Sequence, residues 1–149
     1  MSKNLKVLVA DDMEILARNM VSIIAGNEHV EKVKMVTNGK DLIDTIVMWE
    51  PNIVFTDMRM PILTGLEVIQ QIYLMTEYDN KPQFILVTSD RDVELIRNAR
   101  EYEFDLEYKP ISADKINEYI NNYEHVGINE EAVKKNTKES GIIRKIFKK

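Results

Sequence analysis

The sequence predicts an α/β fold: a doubly wound parallel sheet of five strands with helices on both faces. Two observations predict it. Short apolar runs recur along the chain, and each is followed by a segment whose apolar residues have helical spacing. Parallel strands need crossover connections of one hand, which lie against the sheet. The runs are almost continuously apolar, which is typical of strands buried on both faces.

Three strands and two helices are predicted in the first half of the chain. Residues 5–10 form the first strand, Val33 and Met35 alternate with polar residues in the second, and residues 52–56 form the third. Pro51 ends the second helix. The apolar positions at helical spacing are Ile15, Leu16, Met20, Ile23 and Ile24 in the first helix, then Leu42, Ile43, Ile46, Val47 and Trp49 in the second.

The second half repeats the pattern twice more. Strands are predicted over 83–88 and 104–108, and helices over 91–101 and 113–123. Another helix follows the loop between Pro61 and Gly65. Its apolar positions are Leu66, Ile69, Ile72 and Tyr73.

Length and composition indicate a single folded domain. The chain has 149 residues, of which 44% are apolar and 30% charged. It has no cysteine, which excludes a disulfide framework, a thiolate metal site and a cysteine nucleophile. We find no signal-peptide pattern and no apolar run of membrane length, and therefore expect a cytoplasmic protein.

Charge divides the chain into an acidic body and a basic tail. Residues 1–132 carry 13 Lys and Arg against 24 Asp and Glu, a net charge of −11, whereas residues 133–149 carry 7 against 1, a net charge of +6. An acidic body argues against nucleic-acid binding by the domain. We assign residues 1–124 to the domain and 125–149 to a basic tail, either mobile or a short helix.

The end of this tail combines apolar and basic residues. Such a pattern suits a membrane surface or an acidic partner, although short basic ends are more often a solvated tail or the start of a linker. The apolar residues are Ile142, Ile143, Ile146 and Phe147, and the basic residues are Arg144, Lys145, Lys148 and Lys149.

Polar residues follow four of the predicted strands. Asp11 and Asp12 come after the first strand, Asp57 after the third, Thr88 ends the fourth, and Lys109 follows the fifth. In open α/β sheets, ligands and catalytic groups collect outside the carboxyl ends of the strands. We therefore expect these five side chains to converge on one edge of the sheet.

Each of these residues also has a purely structural interpretation. Asp11 with Glu14, and Ser89 with Asp92, have the spacing of helix capping boxes. Three carboxylates held close together, however, repel one another unless a cation is present. Mg²⁺ suits such oxygen ligands, and an aspartate beside it can act as a nucleophile towards phosphorus. Lysine and threonine side chains then stabilise the phosphoryl oxygens.

Residues 5–123 resemble the receiver domains of two-component response regulators. The matching motifs are VLVADD at the first strand end, DMRMPILTG around Asp57, VTS at the fourth strand end, and Lys109-Pro110. The resemblance implies a flavodoxin-like sheet of order 2-1-3-4-5 and a cis bond at Lys109-Pro110. It also implies a phosphoacceptor switch and not an enzyme that acts on other molecules.

The resemblance assigns a role to each residue at the edge. Asp57 accepts a phosphoryl group, Thr88 and Lys109 contact that group, and Mg²⁺ is bound by Asp12 and Asp57, by the backbone carbonyl of Arg59, and by Asp11 mainly through water. The implied partners are a sensor histidine kinase and a downstream protein or a second copy, bound through the face of the fourth and fifth helices. Residues 124–149 supply no helix-turn-helix with supporting helices, so we expect no DNA-binding effector in this chain.

The sequence departs from the family at one position near the lysine. Family members usually carry Tyr or Phe three residues before it, where this chain has Leu106. Tyr108 is predicted to share the face of Leu106 by strand alternation.

Two other function classes stay open. One is a degenerate receiver that binds partners constitutively. The other is an aspartate-nucleophile phosphatase, although those enzymes place the nucleophile after the first strand.

Overall fold

The computed structural model describes residues 4–75 and 80–128. It contains one parallel sheet of five strands in the order β2-β1-β3-β4-β5, as the family resemblance implied. The strands are β1 (Leu5–Ala10), β2 (Val30–Val36), β3 (Ile53–Asp57), β4 (Gln83–Thr88) and β5 (Asp105–Tyr108). The helices are α1 (Glu14–Ala25), α2 (Gly39–Trp49), α3 (Gly65–Tyr73), α4 (Val93–Glu101) and α5 (Ala113–Ile128).

Most element bounds agree with the sequence to within two residues, with two exceptions. β2 runs over Val30–Val36, longer than the predicted alternation, and pairs with β1 at the edge of the sheet. Charged residues interrupt its apolar pattern, which is typical of an edge strand. α5 continues to Ile128, beyond the predicted end at 123. It therefore includes the first four residues assigned to the tail, while residues 129–149 lie outside the described part.

Two apolar layers enclose the sheet. Leu8, Val54 and Leu86 face α2, α3 and α4, and Val9 and Phe55 face α1 and α5. This alternation is the period-2 geometry of a strand. Each fully buried aliphatic or aromatic side chain contributes about 1.5–3 kcal/mol relative to exposure. The two layers fix the sheet, and thereby the positions of the residues at its carboxyl edge.

The capping boxes expected at α1 and α4 are wrong. α1 has Met13 at its N-cap with no side-chain cap, and the Asp11 carboxylate accepts a hydrogen bond from the Met13 backbone instead of capping with Glu14. α4 is capped by Asp92 and not by Ser89. The true capping box lies at α3. Asp11 is therefore not required to start the helix that comes after it.

The loop after β3 passes very close to the start of α3. A Cβ atom at Gly65 would lie 2.2 Å from the backbone oxygen of Asp57 and 3.0 Å from the Thr56 hydroxyl oxygen. The backbone N–H of Gly65 also donates to the carbonyl of Met58 at 2.9 Å. The absence of a side chain at Gly65 thus lets the loop hold Asp57 in place.

We expect Gly65→Ala to lower the free energy of unfolding by about 1–3 kcal/mol, the usual cost of overpacking. Gly26→Ala is the matched control, because its added Cβ would lie no nearer than 3.5 Å to its surroundings. The control should be neutral or stabilising by up to ~1 kcal/mol. Urea unfolding measures both, and equal effects would contradict the close approach at Gly65.

Candidate functional site

The structure brings all five predicted side chains to the carboxyl edge of the sheet. The Lys109 ammonium lies 3.3 Å from a carboxylate oxygen of Asp11 and 3.3 Å from one of Asp57. Carboxylate oxygens of Asp11, Asp12 and Asp57 lie within 4.8 Å of one another. Thr88 ends the neighbouring strand β4. The predicted convergence is therefore confirmed, with Lys109 bridging two carboxylates.

Burial differs strongly among these residues. Asp11 is 8% exposed and Thr88 2% exposed, whereas Asp12 is exposed and Asp57 is intermediate. The Asp57 carboxylate accepts a hydrogen bond from the Met58 backbone at 2.8 Å. The Thr88 hydroxyl accepts one from the Asp90 backbone at 3.0 Å. The site is thus a half-buried pocket floor with one exposed carboxylate at its rim.

The pKa values of two groups reflect this crowding. Burial, followed by repulsion from Asp11, raises the pKa of Asp57, and Lys109 and the Met58 backbone offset only part of that rise. Burial lowers the pKa of Lys109, but attraction from Asp57 and Asp11 outweighs it, so the pKa of Lys109 lies above its ordinary value. Lys109 therefore stays charged at neutral pH, and a single ammonium serves two carboxylates.

The negative charge at this edge exceeds the positive charge, so a second cation could bind there. Asp11, Asp12 and Asp57 carry three negative charges when ionised, and Lys109 supplies one positive charge among them. Oxygen atoms at this spacing can ligate one metal ion, and carboxylates are the ligands of hard divalent cations. The raised pKa of Asp57 indicates that its negative charge is incompletely compensated without such an ion.

Backbone contacts hold Lys109 at the site. Its N–H donates to the carbonyl of Thr88 at 2.9 Å, which continues the pairing of β4 with β5. The Lys109-Pro110 peptide bond is cis, as the family resemblance implied.

Thr56, which the sequence pattern did not single out, makes a buried hydrogen bond to the backbone of Asp57. Thr56 is fully buried, and its hydroxyl donates to the carbonyl of Asp57 at 2.9 Å. The sequence does contain a signal for this contact. Thr56 is the one hydroxyl residue in the apolar run 52–56, and a buried polar side chain needs a hydrogen-bond partner.

Two arginine side chains make contacts near the site. The Arg59 guanidinium pairs with Asp90 at 2.9 Å and connects the loops after β3 and β4. The Arg91 guanidinium lies 4.2 Å from the ring centroid of Tyr108, a cation–π contact that the sequence did not predict. Tyr108 is paired with Thr88 across the sheet, whereas Leu106 packs against the core beside α4.

The match to known proteins is clear. Residues 7–121 match the family model described as the response regulator receiver domain. The chain belongs to this family. It is therefore the receiver domain of a two-component response regulator, with the family's sheet order and with an acidic cluster that can bind a metal.

Individual relatives of this receiver domain are longer proteins with different names. It is 27% identical over 112 residues to the transcriptional regulatory protein BtsR of Salmonella typhi, covering 75% of this chain and 45% of that protein. It is 26% identical over 70 residues to a protein-glutamate methylesterase/protein-glutamine glutaminase of Clostridium acetobutylicum, covering 47% of this chain and 20% of that protein. The receiver domain thus spans less than half of either relative.

A solved structure gives the same result for the fold. The N-terminal domain of an uncharacterized protein from Wolinella succinogenes superposes with a TM-score of 0.76 at 25% identity, over 86% of this chain and all of that chain. Among the described residues, no helix combines the length and apolar character needed to cross a bilayer.

We expect Asp57→Asn to raise the free energy of unfolding at pH 7 in the presence of a chelator. An acid whose pKa is raised by folding binds its proton more tightly in the folded state, so the ionised form lowers stability above that pKa. Urea unfolding from pH 3 to pH 8 measures the effect. The gain over the native protein should vanish at low pH, where Asp57 is protonated, and a gain that does not depend on pH would contradict the assignment to its charge.

Proposed function

We propose that this protein is a phosphorylation switch whose phosphoacceptor is Asp57. The observation that carries the proposal is the Lys109 ammonium placed 3.3 Å from both Asp57 and Asp11, within a cluster of three carboxylates at the strand ends. A phosphoryl group needs a nucleophile and positive charge around its oxygens, and this cluster offers both. Membership of the receiver family supports the same chemistry.

In the proposed reaction an ionised oxygen of Asp57 attacks the phosphorus atom of a donor. A phosphorus–oxygen bond forms, and the bond to the donor breaks, which releases the imidazole of a phosphohistidine or the carboxylate of an acyl phosphate. The donor is the phosphohistidine of a sensor histidine kinase or a small acyl phosphate. Asp57 is half-buried and accepts a hydrogen bond from Met58, so one oxygen is held while the other can attack.

Lys109 and Thr88 are the proposed partners of the bound phosphoryl group. The Lys109 ammonium already contacts Asp57 and can move a short distance to a phosphoryl oxygen. The Thr88 hydroxyl now accepts from the Asp90 backbone, and it can donate its own proton to another oxygen of the group. Both residues stabilise charge and do not themselves form covalent bonds.

The proposed cofactor is Mg²⁺. The carboxylates of Asp12 and Asp57, the backbone carbonyl of Arg59 and Asp11, mainly through water, would hold it. When bound, Mg²⁺ neutralises charge on the phosphoryl oxygens and brings the donor towards Asp57. The spacing of the three carboxylates and the uncompensated charge on Asp57 support this fit.

The proposed output is a partner-binding surface and not a second reaction. Val93 is 73% exposed and Ile96 is 45% exposed on α4, so this helix carries apolar surface beside β5. We propose that the face of α4 and α5 binds a downstream protein or a second copy, in a cytoplasmic protein without a DNA-binding effector in this chain. The receiver domain would span residues 1–124 and the basic tail 125–149.

The experiment is intact-mass spectrometry after incubation with acetyl phosphate. We expect the native protein to gain one phosphoryl group with Mg²⁺ and none with a chelator. Asp57→Asn should gain none in either condition, and Asp44→Asn, a carboxylate on α2, should behave like the native protein. The absence of any gain in folded native protein would overturn phosphorylation and favour a receiver that binds partners constitutively.

The Arg59–Asp90 pair supports a second prediction, about the lifetime of the phosphoryl group. Arg59→Ala removes a pair that connects two loops beside Asp57, and should open the site to attacking water. An exposed ion pair contributes about 1 kcal/mol or less. If that whole amount were lost from the activation barrier to hydrolysis, the phosphoryl group would be lost at most about fivefold faster. The decay of phosphorylated protein after removal of acetyl phosphate measures it.

Arg97→Ala is the control for this comparison. Arg97 is similarly exposed on α4 and pairs with Glu94 away from the site. Its removal should leave the lifetime unchanged. Equal lifetimes for the native protein and Arg59→Ala would show that the pair does not shield the site.

A further inference from the structure

A groove between α1 and α5 begins at the acidic site and continues over apolar side chains. It encloses about 200 Å³ and is partly open to solvent. Asp11, Asp57 and Lys109 line it together with a larger number of apolar side chains. The apolar lining includes Leu16, Met20 and Ile23 of α1 and Ile111 and Ile116 from the start of the α5 side.

The rim of this groove carries apolar surface that its own neighbours do not cover. Leu16 lines the groove and is nevertheless 42% exposed. Met13 at the start of the same helix is 55% exposed. Beside these side chains lies the exposed carboxylate of Asp12. The groove therefore suits a segment that presents apolar side chains on one side and positive charges towards the site.

Residues 142–149 have these properties. Ile142, Ile143, Ile146 and Phe147 recur at a spacing that places them together, and four basic residues alternate with them. The segment belongs to a stretch of net charge +6, whereas the residues before it carry −11. Opposite charges of this size attract at the surface and set the orientation of a docked segment.

The path of the chain allows the segment to return to the groove. α5 begins shortly after Lys109-Pro110, at the carboxyl edge of the sheet. Near its other end, the Tyr123 hydroxyl accepts a hydrogen bond from the side chain of Asn52, which precedes β3 at the opposite edge. The 16 residues of α5 cover about 24 Å at 1.5 Å per residue. Residues 129–141 reach up to about 43 Å when extended, at ~3.3 Å each.

We propose that residues 142–149 dock in the groove between α1 and α5 of the same molecule. The apolar side chains cover Leu16 and its neighbours, and the basic side chains lie beside Asp11, Asp12 and Asp57. Tethering makes the contact intramolecular, so a weak interaction suffices at any protein concentration.

The test uses paramagnetic relaxation in the full-length chain. The protein has no cysteine, so Ser140→Cys provides a single position for a nitroxide label next to the segment. We expect backbone amides of Leu16–Ile23 and at the start of α5 to lose more than half of their intensity. Amides of α2 and α3, on the opposite face of the sheet, should keep theirs.

Two pairs of variants test the two parts of the contact. Leu16→Gln should abolish the loss of intensity and Ile15→Gln should preserve it, because Ile15 is 74% exposed on the same helix and does not line the groove. Lys145→Glu with Lys148→Glu should abolish the loss, and Lys134→Glu with Lys135→Glu, outside the segment, should leave most of it.

Three outcomes would overturn the proposal. The first is no loss of intensity along the groove. The second is a loss that appears only when isotope-labelled protein is mixed with unlabelled, spin-labelled protein, which would place the segment on a second copy. The third is a segment that leaves the groove amides unaffected and binds vesicles of anionic lipid. None of these readouts depends on phosphorylation of Asp57.

Discussion

Three carboxylates lie together at the carboxyl edge of the sheet, and the Lys109 ammonium pairs with two of them, Asp11 and Asp57. β1 and β3 are neighbours in the sheet, so the residues after them meet at the same edge. Lys109 arrives from β5, two strands from β3, and its long side chain reaches both Asp11 and Asp57. The apolar layers on both faces keep these strand ends in register. In the proposed function, a divalent cation would balance the negative charge that Lys109 leaves uncompensated.

The same edge connects the site to the surface of α4. Thr88 is buried beside the cluster, its hydroxyl accepts from the Asp90 backbone, and Asp90 pairs with Arg59. One residue further, Arg91 covers the ring of Tyr108. Any movement of the Thr88 hydroxyl towards a phosphoryl group therefore removes a contact of the loop that leads into α4. These contacts connect the proposed phosphorylation site at Asp57 to α4, on which Val93 and Ile96 are exposed.

Much of the fold and the membership of the site were predictable from sequence. Continuous apolar runs indicated the strands, since burial on both faces leaves few polar positions, and parallel topology brought the strand ends together. Thr88 and Lys109 were found because they stand directly at those ends. The strand order came from family motifs and not from periodicity, which carries no information on which strands are neighbours.

Individual side-chain contacts were not predictable in the same way. The spacing of Asp11 and Glu14 matches a capping box, yet α1 has Met13 at its N-cap, and the Asp11 carboxylate accepts a hydrogen bond from the Met13 backbone. The stacking of Arg91 on Tyr108 depends on the direction of two side chains from different elements. The length of α5 was underestimated because Glu124, His125 and Gly127 interrupt the apolar pattern after Tyr123. Extending a helix that has already formed costs little, so it continues to Ile128.

A carbon-13 NMR titration of the Asp57 carboxyl group, with and without Mg²⁺, tests the charge imbalance at this edge most directly. Without the ion, we predict a pKa above the ordinary value, because burial and Asp11 outweigh Lys109. With saturating Mg²⁺ the pKa should fall, since the ion stabilises the charged form. An ordinary or lowered pKa that Mg²⁺ does not change would contradict the conclusion that this edge of the sheet lacks a cation.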